Sequence, residues 1–95
     1  MQPNDPTLYS HKSLVHVRQK DHDKVVEECG KAIEIWKKDA NISQVDKQKL
    51  GIVMMRRADS FYKAGKLDES IAQYKESLAI QGNSTIVRKA MEKVQ

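Results

Sequence analysis

"ADSFYKAGKLDESIAQYKESLAI", residues Ala58 to Ile80, is the stretch whose reading decides the fold. Ala58, Phe61 and Tyr62 before the break Ala64-Gly65-Lys66, and Ile71, Tyr74 and Leu78 after it, recur at the three- and four-residue steps of an amphipathic helix. Gly65 suits the left-handed residue that ends a helix. The stretch therefore predicts two antiparallel helices joined by a tight turn.

The same reading extends outward. Asn41 or Ser43 can cap the third helix, in which Val45, Ile52, Met55, Ala58, Phe61 and Tyr62 carry the apolar positions, and which is unusually long. Upstream, Asn4 and Asp5 before Pro6 form a helix start, because an Asx side chain caps free amides and proline at the first helical position lacks one. Leu8, Val15 and Val17 supply that helix's apolar positions until the polar run Gln19 to Asp23 turns the chain. From Asp23, the residues Val25, Val26, Cys29, Ala32, Ile33 and Trp36 form the stripe of a second helix ending near Lys38. Beyond the quoted stretch, where helix four buries Ile71, Tyr74, Leu78 and Ile80, Gly82 and Asn83 break the chain and Ser84 can cap. Ile86, Val87, Ala90, Met91 and Val94 then make a closing helix. The expected class is all-α, with five helices and no strand pattern.

The chain matches itself. Lys20 to Val26 pairs with Gly65 to Ile71, and the same offset carries Cys29, Ala32 and Ile33 onto Tyr74, Ser77 and Leu78. Each unit is one helical hairpin, at residues 6–39 and 51–84, close to the ~34 residues of a tetratricopeptide repeat. Residues 40–50 are expected to extend the third helix, 85–95 to form a capping helix and 1–5 to be a loop between repeats.

At 95 residues the chain is one small domain with a modest core. Its 39% hydrophobic and 32% charged residues fit a globular helical protein. No apolar run approaches the ~18 residues of a membrane span, and Met1 to Ser10 lacks the order of a signal peptide. With Cys29 as the single cysteine there is no internal disulfide, so a cytoplasmic, reducing compartment is expected. The net charge of +4 is mild and arises from interleaved Lys and Glu, which slightly favours acidic partners and disfavours nucleic acid.

The pattern Ala58, Phe61-Tyr62-Lys63-Ala64-Gly65-Lys66-Leu67-Asp68-Glu69-Ser70-Ile71, Tyr74, Ser77-Leu78 resembles the tetratricopeptide-repeat (TPR) family, with its small and aromatic packing positions in order. In the first unit Lys20 replaces the expected turn glycine and His16 an aromatic, while Val25, Cys29 and Ala32 fit. Leu8-Tyr9-Ser10-His11-Lys12-Ser13 and Glu28 to Ile35 are similar to the second repeat of the middle, ninety-kilodalton-chaperone-binding domain of Hop-type co-chaperones. Gln2 to Pro6 looks like the loop that leaves a preceding repeat in such domains.

The resemblance implies a protein-interaction module in which lysine, asparagine and arginine side chains on the first helix of each repeat clamp the carboxylates of an acidic C-terminal chaperone peptide. Arg56 falls on the clamp arginine, His11 where the family has asparagine, and Ile52 where it has lysine. Arg18 and Lys63, near the ends of the groove helices, are candidates for acidic side chains of the peptide, and Tyr62 for a groove-facing ring. The competing reading is an assembly element with a degenerate clamp, its first hairpin exposing apolar surface that self-association or helix exchange covers.

Other sites have plainer readings. His11, His16 and His22 are spaced by five and six residues and do not stack as i, i+4 metal ligands would. Cys29 lies on a packing stripe, Trp36 is expected against the third helix, Met54 and Met55 fill gaps, Phe61 is core and Arg57 is a surface residue. No phosphate loop, serine elbow or cofactor motif is present, so neither an enzyme nor a cofactor is expected.

Overall fold

In the computed structural model, which describes residues 6–39, 41–81 and 85–94, five α-helices follow one another: α1 (Pro6–Arg18), α2 (His22–Lys38), α3 (Gln44–Lys63), α4 (Leu67–Gln81) and α5 (Thr85–Val94). Among the described residues there is no strand. The expected caps at Asn4 or Asp5 and at Ser84, and the break at Gly82 and Asn83, lie outside the described residues.

Local chemistry sets the ends. Asp21 Oδ1 accepts from the Lys24 amide at 3.3 Å and starts α2 one residue earlier than the apolar stripe implies. Of the two candidates for α3, Ser43 is the cap, its Oγ accepting from the Asp46 amide at 3.1 Å. Gly65 ends the α3 turn at φ +83°, and Lys20, its partner in the self-match, takes the same left-handed conformation at φ +60°. The two hairpin turns are therefore built alike, one with glycine and one at the steric cost of a side chain.

Each helix packs on the next, α1 on α2, α2 on α3, α3 on α4 and α4 on α5. The resulting body is 38 × 30 × 18 Å, and its 18 Å thickness is that of two helix layers. Of the α2 stripe, Val25, Cys29, Ala32, Ile33 and Trp36 are buried as expected against Leu50, Val53 and Met54 of α3, while Val26 is only half-buried. Trp36 is 4% exposed, and full burial of a large apolar side chain contributes about 1.5–3 kcal/mol. A second cluster joins Ala58, Tyr74 and Val87, with Met55, Leu78 and Met91 against it.

Other apolar assignments are corrected. On α1, Val15 and Val17 face outward, 52% and 37% exposed, and the buried residue is Ser13. The inner line runs through half-buried Tyr9, Ser13 and half-buried His16, because a small residue lets α1 approach α2 closely. On α3, Val45, Ile52 and Tyr62 are exposed. On α4, Ile71, Leu78 and Ile80 are only half-buried, whereas Ser70, Gln73 and Ser77 join Tyr74 inside. On α5, Ile86 is 70% exposed and Val87 is buried.

Buried serines fasten the second hairpin. Ser70 Oγ donates to the Ala58 carbonyl at 2.7 Å and Ser77 Oγ to the Gly51 carbonyl at 2.8 Å. Each buried hydroxyl is thereby satisfied, as burial requires.

Candidate functional site

α1, α3 and α5 line one side of the molecule. Between α1 and α3 lies a cavity of about 250 Å³, bordered by Ser10, His11 and Leu14 from α1, and Lys49, Ile52 and Arg56 from α3. Between α3 and α5 lies a second of about 560 Å³, bordered by Ile52, Met55, Arg56 and Asp59 from α3 and by Ile86, Lys89, Ala90 and Lys93 from α5, with Tyr74 of α4. Ile52 and Arg56 border both, so the two cavities adjoin on either side of α3.

Arg56 is half-buried at the junction. Its Nη1 donates to the Ser10 carbonyl at 3.3 Å, to Ser10 Oγ at 3.2 Å and to Ser13 Oγ at 3.0 Å, tying α3 to α1. Ser13 Oγ in turn donates to the Ser10 carbonyl at 2.6 Å. This web holds the guanidinium at the border of the cavity that exposed His11 lines from α1. Cys29 sits beneath, where burial pushes its thiol up while Ser13 and the Arg56 and Arg57 charges oppose the shift. A buried thiol of raised pKa is a packing residue, not a nucleophile.

Of the residues predicted for the site, His11 and Arg56 border the same cavity, one from α1 and one from α3. Arg18, Tyr62 and Lys63 border neither cavity. Arg18 and Lys63 are the last residues of α1 and α3, both exposed, and Tyr62 is 42% exposed. Lys63 Nζ pairs with Asp59 at 3.1 Å, one turn back on the same helix. Sequence reasoning missed Lys49, Lys89 and Lys93; the i, i+4 spacing of the last two on α5 was the available signal.

Arg57 is corrected from a surface residue to a strut. Its Nε donates to the Val26 carbonyl at 3.1 Å and its Nη1 to Gln73 Oε1 at 2.8 Å, joining α2, α3 and α4. Its guanidinium carbon stands 4.9 Å from the centre of the Phe61 ring. Among the described residues no group of three His, Cys, Asp or Glu could hold a metal ion, and no helix is long and apolar enough to cross a membrane.

Two helical hairpins stacked so that alternate helices make one wall, closed by a further helix, define a tetratricopeptide-repeat domain. The chain has this fold, and its sequence and its fold are similar to those of two co-chaperone proteins. It is 33% identical over 94 residues to the Hsp70-Hsp90 organising protein of Plasmodium falciparum (isolate 3D7), a match spanning 98% of this chain but only 16% of that protein's length. Its fold is similar to that of the N-terminal domain of stress-induced protein-1 (STI-1) from C. elegans, with a TM-score of 0.84 at 20% identity over 98% of this chain and 69% of the other. No family model matches the chain.

Proposed function

We propose that this chain is a co-chaperone interaction module whose groove takes the acidic, extended C-terminal peptide of a heat-shock chaperone. The observation that carries the reading is that one cavity is lined by His11 from α1 and by Lys49 and Arg56 from α3. Guanidinium, imidazole and ammonium groups that converge on a concave surface are suited to carboxylates. Similarity to the Hsp70-Hsp90 organising protein supports a chaperone as the source of the peptide. The likeness of Glu28 to Ile35 to the middle Hop-type domain favours the ninety-kilodalton class and a cytoplasmic setting. Arg18, Lys63 and Tyr62 flank the far ends of α1 and α3, where they would meet side chains of a longer peptide. The same reading divides the chain into repeats at 6–39 and 51–84 and a cap at 85–95; of the extension of the third helix expected at 40–50, residues 44–50 are helical and 41–43 are not.

Calorimetry with the acidic C-terminal peptides of the seventy- and ninety-kilodalton chaperones tests the proposal. Binding that is lost in Arg56→Ala, with helicity preserved, supports it. The absence of heat with either peptide rejects it.

A second reading is favoured by one observation, the exposure of Leu14 at 42% and Val15 at 52% on α1. In this reading the chain self-associates or exchanges helices through that face. Sedimentation showing only monomer from micromolar to millimolar concentration excludes it.

A further inference from the structure

Among the described residues Arg56 is a half-buried cation with no anion: it forms no ion pair, and Asp59, one turn further along α3, is already paired with Lys63 at 3.1 Å. The oxygens it does meet are neutral and all belong to α1, namely the Ser10 carbonyl at 3.3 Å, Ser10 Oγ at 3.2 Å and Ser13 Oγ at 3.0 Å. Ser13 is fully buried and Ser10 half-buried. A charge withdrawn from water is normally paired, so the site calls for an anion from outside.

All three bonds leave from one nitrogen. Nη1 carries two of the guanidinium's five N–H groups, and three acceptors around it take up both. That closes the end-on edge formed by Nη1 and Nη2. The side-on edge, Nε with Nη2, meets no oxygen acceptor among the described residues, and its two parallel N–H groups match the two oxygens of a carboxylate. Beneath the web the Cys29 thiol also meets the guanidinium, as a weak acceptor that does not compete with a carboxylate. Arg56 borders both cavities, so there is open space beside it on either side of α3.

We propose that Ser13 and Ser10 are positioning residues for Arg56: from α1 they hold Nη1 and leave the Nε–Nη2 edge to take one ligand carboxylate in a two-bond fork. An arginine side chain ordered before the ligand arrives need not be ordered on binding, so the tether raises affinity without touching the ligand. The fork also selects a carboxylate over a neutral carbonyl, which offers a single oxygen and no charge. This rests on the groove reading above, and it assigns to two serines of the neighbouring helix a share of what that reading gives to the arginine alone.

The test follows the arginine side-chain signals of the isotope-labelled chain by NMR, those of Arg56 being identified by their disappearance in Arg56→Lys. In the free chain Arg56 is expected to show a separate Nη1 signal, because the bonds to α1 slow its rotation, and Ser10→Ala/Ser13→Ala should collapse it. On addition of the chaperone C-terminal peptides used for calorimetry, the Nε–H signal should shift while Nη1 stays in place. The double variant should bind the same peptide about three- to tenfold more weakly, with helicity by circular dichroism unchanged. Equal affinity in the double variant, a collapsed Nη1 signal in the natural chain, or a bound peptide that leaves Nε unmoved overturns the positioning role while the groove reading stands. A natural chain that binds neither peptide rejects the groove reading, and the positioning role falls with it. Where loss of the buried Ser13 hydroxyl lowers helicity, Ser10→Ala alone carries the comparison, with an expected weakening of about twofold or more.

Discussion

Gln81 occupies the space that a Cβ on Gly51 would need, its Nε2 2.6 Å and its Cδ 2.8 Å from that position. The same glycine offers its carbonyl to Ser77 Oγ, so α3 and α4 meet here with no room for a methyl group. Gly51→Ala is expected to lower stability by about 1–2 kcal/mol through overpacking, even though alanine gains about 1 kcal/mol in helix propensity. In the Gln81→Ala background the same substitution should become neutral or stabilising. Urea unfolding of the four proteins measures this coupling, and a stabilised single variant would refute the packing argument.

Lys20 carries a left-handed backbone that glycine adopts without steric cost. Lys20→Gly is expected to stabilise the first hairpin by about 0.5–1 kcal/mol, because relief of the strain outweighs the added freedom of the unfolded chain. The converse change, Gly65→Ala at φ +83°, should destabilise by about 1–2 kcal/mol. Thermal melts of both variants check the pair, and the two shifts must have opposite sign.

Tyr74 gives the fold a sensitivity to alkali. Burial, with Asp59 nearby adding to it, pushes its phenol from the ordinary 10.0 up to about 12. Below the unfolded value both states keep the proton and stability is complete. As pH rises from about 10 toward about 12 the unfolded chain ionises first, and stability falls. Tyr74→Phe should lose less stability across that window than the natural chain. Denaturant midpoints at steps between those limits show it; parallel curves would mean that Tyr74 is not the group responsible.

How far the sequence could be read depended on where each helix found its partner. The α2 stripe of Val25, Cys29, Ala32, Ile33 and Trp36 was legible because helix two packs on both neighbours through a broad apolar face. On α1 the reading failed, since Val15 and Val17 are exposed while Ser13 is buried. Periodicity counts apolar residues, but the α1 contact selects a small one, and the arginine that satisfies its hydroxyl lies 43 residues away. Arg57 was misjudged for the same reason, as its acceptors on Val26 and Gln73 belong to other helices. At the site, His11 and Arg56 came from family resemblance, whereas Lys49, Lys89 and Lys93 depend on which helix faces turn toward the groove. Only the assembled helices decide that.

The two serine bonds of the second hairpin act as a ruler. Ser70 and Ser77 are two turns apart on α4, and their acceptors, Ala58 and Gly51, are two turns apart on α3 in the opposite order. Sliding one helix along the other by a single turn would strand both hydroxyls at once, so this pair behaves as a rigid plate. Because Arg56 and Arg57 also tie α1 and α2 to this plate, any widening of the groove to admit a guest falls to tilting of α5, with the plate as the fixed jaw.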